Sequence, residues 1–192
     1  MWPWTAAAFA YLCYSSYTHV RRREPPGASA IVVAAVASIV PDVIDKPLTW
    51  QFGVFRTGYA LGHSAFLGLF LLGLGHVIAR GSEHPRWGVA FGIGYLSHNV
   101  GDVLEALPYE PARTAFARVL WPVVRLPPEH VNGFGGKFST LLAGYLSHLL
   151  ALDPTPYFVL VSVIGVCALA LWAYDGFPVL RELVVRWRTA SG

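Results

Sequence analysis

Charged residues are scarce in this chain. Of its 192 residues, 14 are Lys or Arg and 11 are Asp or Glu, so only 13% carry a charge, against about 25% in a typical soluble domain. Hydrophobic types make up 55%, and the mean hydropathy is +0.49. So few charges could not cover the surface of a soluble domain, and so many apolar residues exclude a disordered chain. The composition therefore predicts an integral membrane protein.

Cysteine is almost absent as well. Cys13 and Cys167 both lie in apolar runs, which is typical of small buried hydrophobes and excludes a cysteine-type zinc site. The opening Met-Trp-Pro-Trp has no basic segment, so we do not expect a cleaved signal peptide. The net charge of +3 does not indicate nucleic-acid binding. Lys and Arg cluster at the ends of apolar runs, where membrane lipid and the positive-inside rule explain them.

The apolar runs and the Pro, Gly and Arg residues between them predict a single all-α membrane domain over residues 1–192, with five or six transmembrane helices. The expected spans are residues 4–18, 28–44, 59–79, 87–107, 138–152 and 157–174. The core would be residues 28–107, followed by an interfacial or re-entrant segment at 108–137 and C-terminal helices at 138–192. We expect a polar connector at 46–58 and an amphipathic tail after 174.

One pentapeptide, Gly-Tyr-Leu-Ser-His, occurs twice, at 94–98 and at 144–148. The two copies diverge afterwards, because Asp102 follows the first histidine by four residues and Leu152 follows the second. Coincidence, or helix packing through small residues, is enough to explain the repeat. We infer no duplication from it.

Charged and polar residues inside the predicted spans are the candidates for function. An Asp near the centre of a bilayer costs about 2.5–3.5 kcal/mol on insertion scales, so an interaction must offset that cost. His98 and Asp102 are four residues apart and share a helix face, on which Glu105 also lies. Two interpretations remain open: a His–Asp pair that only stabilises the helix bundle, or a pair of metal ligands.

The second and third spans add further candidates. Asp42 and Asp45 are three residues apart at the end of the second span. They are either metal ligands or carboxylates exposed to solvent. For Asp45 the second alternative is favoured, because Lys46 follows it directly. His63 begins the third span, where a capping role is the alternative. Because successive spans alternate in direction, all these residues approach one membrane face. Mixed nitrogen and oxygen donors suit zinc, with manganese or magnesium as alternatives.

Three motifs carry a family resemblance. They are Val-Pro-Asp-Val-Ile-Asp-Lys-Pro at 40–47, Gly-His-Ser at 62–64, and Gly-Tyr-Leu-Ser-His-x-x-x-Asp at 94–102. In this order they resemble the YdjM-type family of membrane-bound metal-dependent hydrolases, in its archaeal-like variant, over about residues 1–130. That family is itself similar to zinc-dependent phospholipase C. The resemblance implies that the metal ligands are Asp42, His63, His98 and Asp102. Asp45 would be either a fifth metal ligand or a residue that supports one of the ligands without binding the metal.

The chain also departs from that family pattern. Thr5 and Ala6 stand where relatives often have Gly-His, and residues 56–59 lack the histidine of a His-Arg-Gly motif. The resemblance therefore implies that one or two ligands are missing. His19, His130 and His148 are histidines that folding could bring in as substitutes. A member with fewer metals, or an inactive one, is among the alternatives.

Two classes of function follow. The first is a membrane-embedded metal-dependent hydrolase that acts on a phosphoester such as a phospholipid or a lipid-linked phosphate, with Asp45 or Asp102 as the catalytic base. The second is a non-enzymatic transporter or scaffold that uses the same His/Asp cluster for ion binding or structure. A conduit needs polar residues across the whole span, whereas here they stop at one side. The arginines at 21–23, 80 and 86 lie on the other side, which predicts a cell-membrane protein with its site on the exoplasmic face.

Overall fold

The structure is a computed structural model that describes residues 1–82, 84–152 and 154–190. All regular elements in this part of the chain are helices, with no strand, which confirms the all-α prediction. In chain order they are α1 (Pro3–Arg22), α2 (Ala28–Ala37), α3 (Val40–Trp50), α4 (Ala65–Arg80), α5 (Arg86–Ala106), α6 (Ala112–Ala117), α7 (Gly133–Ala151), α8 (Pro156–Tyr174) and α9 (Pro178–Ala190).

Two helical stretches in the described ranges are long and apolar enough to cross a membrane. One is Ala28–Trp50, which combines α2 and α3, and the other is α8. Helix α4 is apolar but has 16 residues. Helices α1 and α5 have 20 and 21 residues, but both bury polar side chains that lower their mean hydropathy. By length and composition, two helical stretches among the described residues qualify as membrane spans, which is fewer than the five or six predicted from the sequence.

Several helix boundaries differ from the predicted ones. Helix α3 continues to Trp50, through the start of the predicted connector, and within it Lys46 pairs with Asp42 one turn earlier at 2.6 Å. Helix α4 begins at Ala65 and not at residue 59, since the side chain of Ser64 caps it by accepting from Leu67 N. The six residues before α4 are not helical: they form bends and a turn, and the turn contains His63.

Helices α1, α2 and α5 pack around a buried core that includes Tyr14, Ala34 and Ala90. Gly94 of α5 faces α2 so closely that a Cβ there would lie 2.1 Å from the backbone oxygen of Ala34. Only glycine permits this approach, as small residues do at helix contacts in membranes. The close contact brings the start of α3 beside His98, which lies one turn further along α5.

The outer helices expose large apolar side chains. Phe66, Phe70 and Val77 on α4 are 51–68% exposed, and Val163 on α8 is 54% exposed. Cys167 on α8 is also exposed, contrary to the sequence-based expectation of burial. An apolar surface of this extent fits contact with lipid.

Candidate metal centre

Four side chains meet between α3, α5 and the loop before α4. Asp42 comes from the first turn of α3, His63 from the loop, and His98 and Asp102 from α5. Each offers one ligand atom, and these atoms all lie within 4.8 Å of one another. All four residues are buried, and Asp42 is the most exposed of them at 8%. These are the residues that the sequence motifs predicted to converge.

The distances within this ligand group are nearly uniform. His63 Nε2 lies 3.3 Å from Asp42 Oδ1, 3.3 Å from His98 Nε2 and 3.2 Å from Asp102 Oδ2. His98 Nε2 lies 3.5 Å from Asp42 Oδ1 and 3.3 Å from Asp102 Oδ2. Ligands about 2.0–2.1 Å from a zinc-sized cation at the corners of a tetrahedron are about 3.3–3.4 Å apart. These five distances match a tetrahedral cation, and the ligand oxygens of the sixth pair, Asp42 and Asp102, lie within 4.8 Å of each other.

The two carboxylates of the group each leave one oxygen without a donor. Asp42 Oδ1 and Asp102 Oδ2 are buried and accept no hydrogen bond from the described residues. Their other oxygens are engaged, since Lys46 Nζ donates to Asp42 Oδ2 at 2.6 Å and the Met1 amino group donates to Asp102 Oδ1. A buried carboxylate oxygen without a partner is costly. A cation between these two oxygens would remove that cost.

Asp45 orients His63 from behind. His63 Nδ1 lies 2.8 Å from Asp45 Oδ2, which places the ring proton on Nδ1 and leaves the Nε2 lone pair facing the ligand group. Asp45 also accepts the backbone N–H groups of Ala60 at 2.8 Å, Gly62 at 2.8 Å and His63 at 3.0 Å. The side chain is fully buried, so the solvated interpretation is wrong. The sequence left a ligand role and a supporting role open, and this geometry favours support.

Close packing fixes the loop that carries His63. A Cβ on Gly62 would lie 2.6 Å from the backbone oxygen of Pro41. The loop can therefore approach α3 this closely only because residue 62 is glycine. Tyr95 of α5 donates its hydroxyl hydrogen to the Gly62 carbonyl, and Ser64 Oγ donates to the Trp121 carbonyl at 2.7 Å. The loop is thus held on three sides, which sets the position of the His63 ring.

Comparison with known proteins identifies the family to which the chain belongs. The family model described as YdjM inner membrane protein matches residues 1–177, which include the whole ligand group. The chain belongs to this family. No curated protein and no solved structure gives a significant match. Family membership supports association with the inner membrane, in agreement with the two long apolar helical stretches.

A cavity of about 740 Å³ opens beside the ligand group of this YdjM-family protein. Asp42 lies on its wall, whereas Asp45 and Asp102 do not. Its charged lining also includes Lys46, Glu105, Glu110 and Arg118. Much of the remaining wall is aromatic or aliphatic: Trp2, Trp50, Phe134, Phe138, Leu141, Tyr145 and Tyr157. The volume is in the range of sites for small organic ligands, about 300–1,000 Å³.

Sequence reasoning missed two residues beside this site, Tyr59 and Arg118. Arg118 donates from Nη1 to Tyr59 Oη at 2.6 Å and from Nη2 to Glu110 Oε1 at 2.7 Å. The edge of the Tyr59 ring contacts the His63 ring, with centroids 4.9 Å apart. Tyr59 and Arg118 are 59 positions apart, so no local pattern in the sequence could have paired them.

Glu129 joins the loop after α3 to the segment before α7. It accepts from Gly58 N at 2.9 Å, Thr57 Oγ1 at 3.0 Å and Trp50 Nε1 at 3.2 Å. Burial alone would raise the pKa of Glu129, but these hydrogen bonds and the charge of Lys137 together lower that pKa below its ordinary value. Glu129 is therefore an ionised anchor for the loop that leads to His63.

The other histidines and the positions that depart from the family pattern lie outside the ligand group. His19 Nε2 is 2.6 Å from Asp175 Oδ1, and Asp175 also accepts from Tyr11 and Ser15. His130 is exposed, and His148 lies on the cavity wall. Ala6, where relatives often have histidine, packs in an apolar cluster with Met1 and Ile164. No further histidine joins the four ligand atoms within the part of the chain that the structure describes.

Proposed function

We propose that this protein is a multi-pass, membrane-embedded hydrolase that uses a divalent metal ion to cleave a phosphoester of a membrane lipid. The observation that carries the proposal is the ligand group itself. Its donor atoms are spaced for a tetrahedral cation, and two of its buried oxygens lack a donor. Two imidazoles with two carboxylates suit zinc, with manganese or magnesium as alternatives. The adjoining cavity gives a substrate access to that group.

Each residue of the group has a defined task. Asp42, His63, His98 and Asp102 would hold the metal, and Asp45 would keep the His63 ring in the required tautomer. With these four ligands in place, a water would have to enter as an additional, fifth ligand. A bound metal would lower the pKa of that water to about 7 and neutralise charge on a phosphoryl oxygen. Lys46 and the Met1 amino group fix the carboxylate orientations of Asp42 and Asp102.

Glu105 is the best-placed general base. It lies one turn beyond Asp102 on α5 and lines the cavity. Its Oε2 pairs with the Met1 amino group at 3.2 Å, while its Oε1 is buried without a hydrogen-bond donor among the described residues. Asp102 belongs to the ligand group and Asp45 supports His63, and neither lies on the cavity wall. We therefore assign to Glu105 the removal of the proton from the attacking water, and to Asp45 and Asp102 the maintenance of the site.

Metal analysis combined with a lipid panel tests the proposal. Protein purified in an uncharged detergent would be analysed for bound metal and assayed against phosphodiester and phosphomonoester lipids. Asp102→Asn should lose both metal and hydrolysis. Glu105→Gln should keep the metal and lose hydrolysis by about 10²–10⁴-fold, the usual contribution of a general base. The matched control Glu182→Gln, on the exposed face of α9, should retain both.

Two results would contradict the proposal. If the wild-type protein holds no metal, the His/Asp cluster is a structural pair inside the bundle. If it holds metal but hydrolyses no lipid phosphoester, the non-enzymatic alternative of a transporter, a scaffold or an inactive family member is favoured.

A further inference from the structure

Two cationic side chains line the cavity at the end where the ligand group lies. Lys46 Nζ is 2.6 Å from Asp42 Oδ2 and lies over the Trp50 ring, 5.5 Å from its centroid. Arg118 contacts Tyr59, whose ring in turn contacts His63. Lys46 therefore contacts a candidate metal ligand directly, and Arg118 is separated from one by a single side chain, that of Tyr59.

Neither cation is saturated by its carboxylate partner. Lys46 has three N–H donors, and Asp42 accepts one of them. Arg118 has five, of which Tyr59 and Glu110 accept one each, and its Nε has no hydrogen-bond partner among the described residues. Each cation thus keeps donors for an additional anion, and a phosphate offers acceptors to both a lysine and an arginine.

The part of the cavity wall formed by α7 is mainly aromatic and aliphatic. Helix α7 contributes Phe134, Phe138, Leu141 and Tyr145, and Trp2 packs against Phe138 and Tyr145 with ring centroids 5.9 and 5.1 Å apart. None of the 19 residues of α7 is fully buried, so this wall is open to contact with an apolar ligand. A free inorganic anion would leave this apolar surface unused.

We propose that the cavity binds an amphiphile with an anionic phosphate head, which contacts Lys46 and Arg118, and an alkyl tail, which lies along the aromatic face of α7. This inference rests on the proposed function and identifies the residues that recognise its substrate. An uncharged lipid would leave the remaining N–H donors of Lys46 and Arg118 without an acceptor, and inorganic phosphate would leave the apolar wall without a ligand. Binding of the head does not require hydrolysis, so it can be measured by itself.

A photoreactive dodecyl phosphate with a diazirine at the end of its tail tests the inference. The full-length protein in dodecyl maltoside micelles would be irradiated with this probe, and labelled peptides would be mapped by mass spectrometry. We expect labelling within 134–145. The double variant Lys46→Gln, Arg118→Gln should reduce it at least tenfold. The matched control Arg21→Gln, Arg186→Gln removes two exposed arginines that do not line the cavity, and should label like the wild type.

Further arms separate the possible ligands. A probe with the same tail and a maltoside head should label 134–145 weakly, and equally in wild type and double variant. Unlabelled dodecyl phosphate should compete with the phosphate probe, and inorganic phosphate at the same concentration should not. Equal labelling by both probes, or no effect of the double variant, would overturn the role of the cations. Competition by inorganic phosphate as strong as that by dodecyl phosphate would overturn the role of the tail.

Two additional variants keep the test decisive. Lys46→Arg with Arg118→Lys retains both charges and should restore most of the labelling, which separates charge from misfolding. If this exchange variant is folded but labels as weakly as the Gln double variant, the inference is wrong. Asp102→Asn should still be labelled, because it removes a metal ligand and leaves both cations. A failure of the metal-dependent hydrolase proposal is thereby distinguishable from a failure of phosphate recognition.

Discussion

At the scale of single residues, the oxygens of Asp42 and Asp45 decide what this site can do. The two carboxylates are three positions apart on α3, yet one keeps a buried oxygen without a donor and the other has its oxygens filled by four N–H groups. An open oxygen is available to a cation, whereas a saturated one fixes a neighbouring ligand. Residue type alone does not separate these two tasks.

Asp45→Asn should lower metal affinity about 10–100-fold, the usual effect of losing a residue that orients a ligand. The four ligand atoms stay in place, but the His63 ring loses its charged partner. The readout is the dissociation constant of the metal by competition with a chelator. Asp175→Asn is the matched control, because Asp175 is likewise a carboxylate with several hydrogen-bond partners, namely Tyr11, Ser15 and His19, but lies outside the ligand group. Complete loss of binding in Asp45→Asn would identify Asp45 as a ligand instead.

Glu129→Gln should destabilise the protein by about 1 kcal/mol at pH 7, because hydrogen bonds to a charged acceptor are lost. The pKa of Glu129 is lowered by folding, so its contribution is present above the unfolded value of about 4.3 and is lost as pH falls through the folded pKa. The stability gap between wild type and variant should therefore close below about pH 4. Chemical denaturation across pH measures this gap. A gap that stays constant to pH 3 would contradict the ionised-anchor role.

At the scale of elements, the two copies of Gly-Tyr-Leu-Ser-His show that one sequence can have two roles. The copy on α5 is buried, with Gly94 against α2 and His98 in the ligand group. The copy on α7 lies on a helix with no fully buried residue, and its tyrosine and histidine line the cavity. The packing partner of each helix, and not the pentapeptide, sets these roles.

Gly94→Ala should destabilise the bundle by about 1–3 kcal/mol, because the new methyl group would meet the Ala34 backbone and overpack the α2–α5 contact. Gly144→Ala is the matched control within the repeat. No atom lies within 4 Å of the Cβ it would add, so better helix propensity should stabilise the protein by up to about 1 kcal/mol. Thermal unfolding of the two variants, together with their metal content, checks both values. Equal effects at the two glycines would show that α2 and α5 do not pack as described.

At the scale of the whole molecule, charged side chains lie in the interior and apolar side chains cover the exterior. Helices α4 and α8 present apolar side chains outward, while α3, α5 and the loop at 59–64 hold the charges inside. The cavity lies next to these charges and against the loosely packed α7. Under the proposed function, this arrangement would give a lipid substrate a route from the apolar surface to the buried ligand group.

The distribution of arginine predicts which face of the membrane the candidate metal site lies on. The arginines at 21–23, 80 and 86 lie at the ends of α1, α4 and α5 away from the ligand group, so the positive-inside rule predicts an exoplasmic site. In a background without Cys13 and Cys167, Val54→Cys should react with an impermeant thiol reagent in intact cells, and Ser82→Cys should not. Both positions are exposed, and Glu83, next to Ser82, lies outside the described residues. The reverse pattern would place the site in the cytoplasm.

The helical class, the membrane association and the shared helix face of His98 and Asp102 could all be predicted from the amino-acid sequence. These properties depend on composition and on spacings of a few residues, which a chain carries before it folds. The family motifs added the four ligands, and all four converge.

Helix packing, in contrast, places Asp45 behind the His63 ring, Glu105 on the cavity wall, and Lys46 and Arg118 close to the ligand group. It also moved the start of α4 to Ala65 and extended α3 to Trp50. The physical reason is that burial and hydrogen bonding here join groups far apart in sequence, such as Tyr59 with Arg118 and Thr57 with Glu129. Such contacts depend on how the helices pack, and no local pattern encodes them.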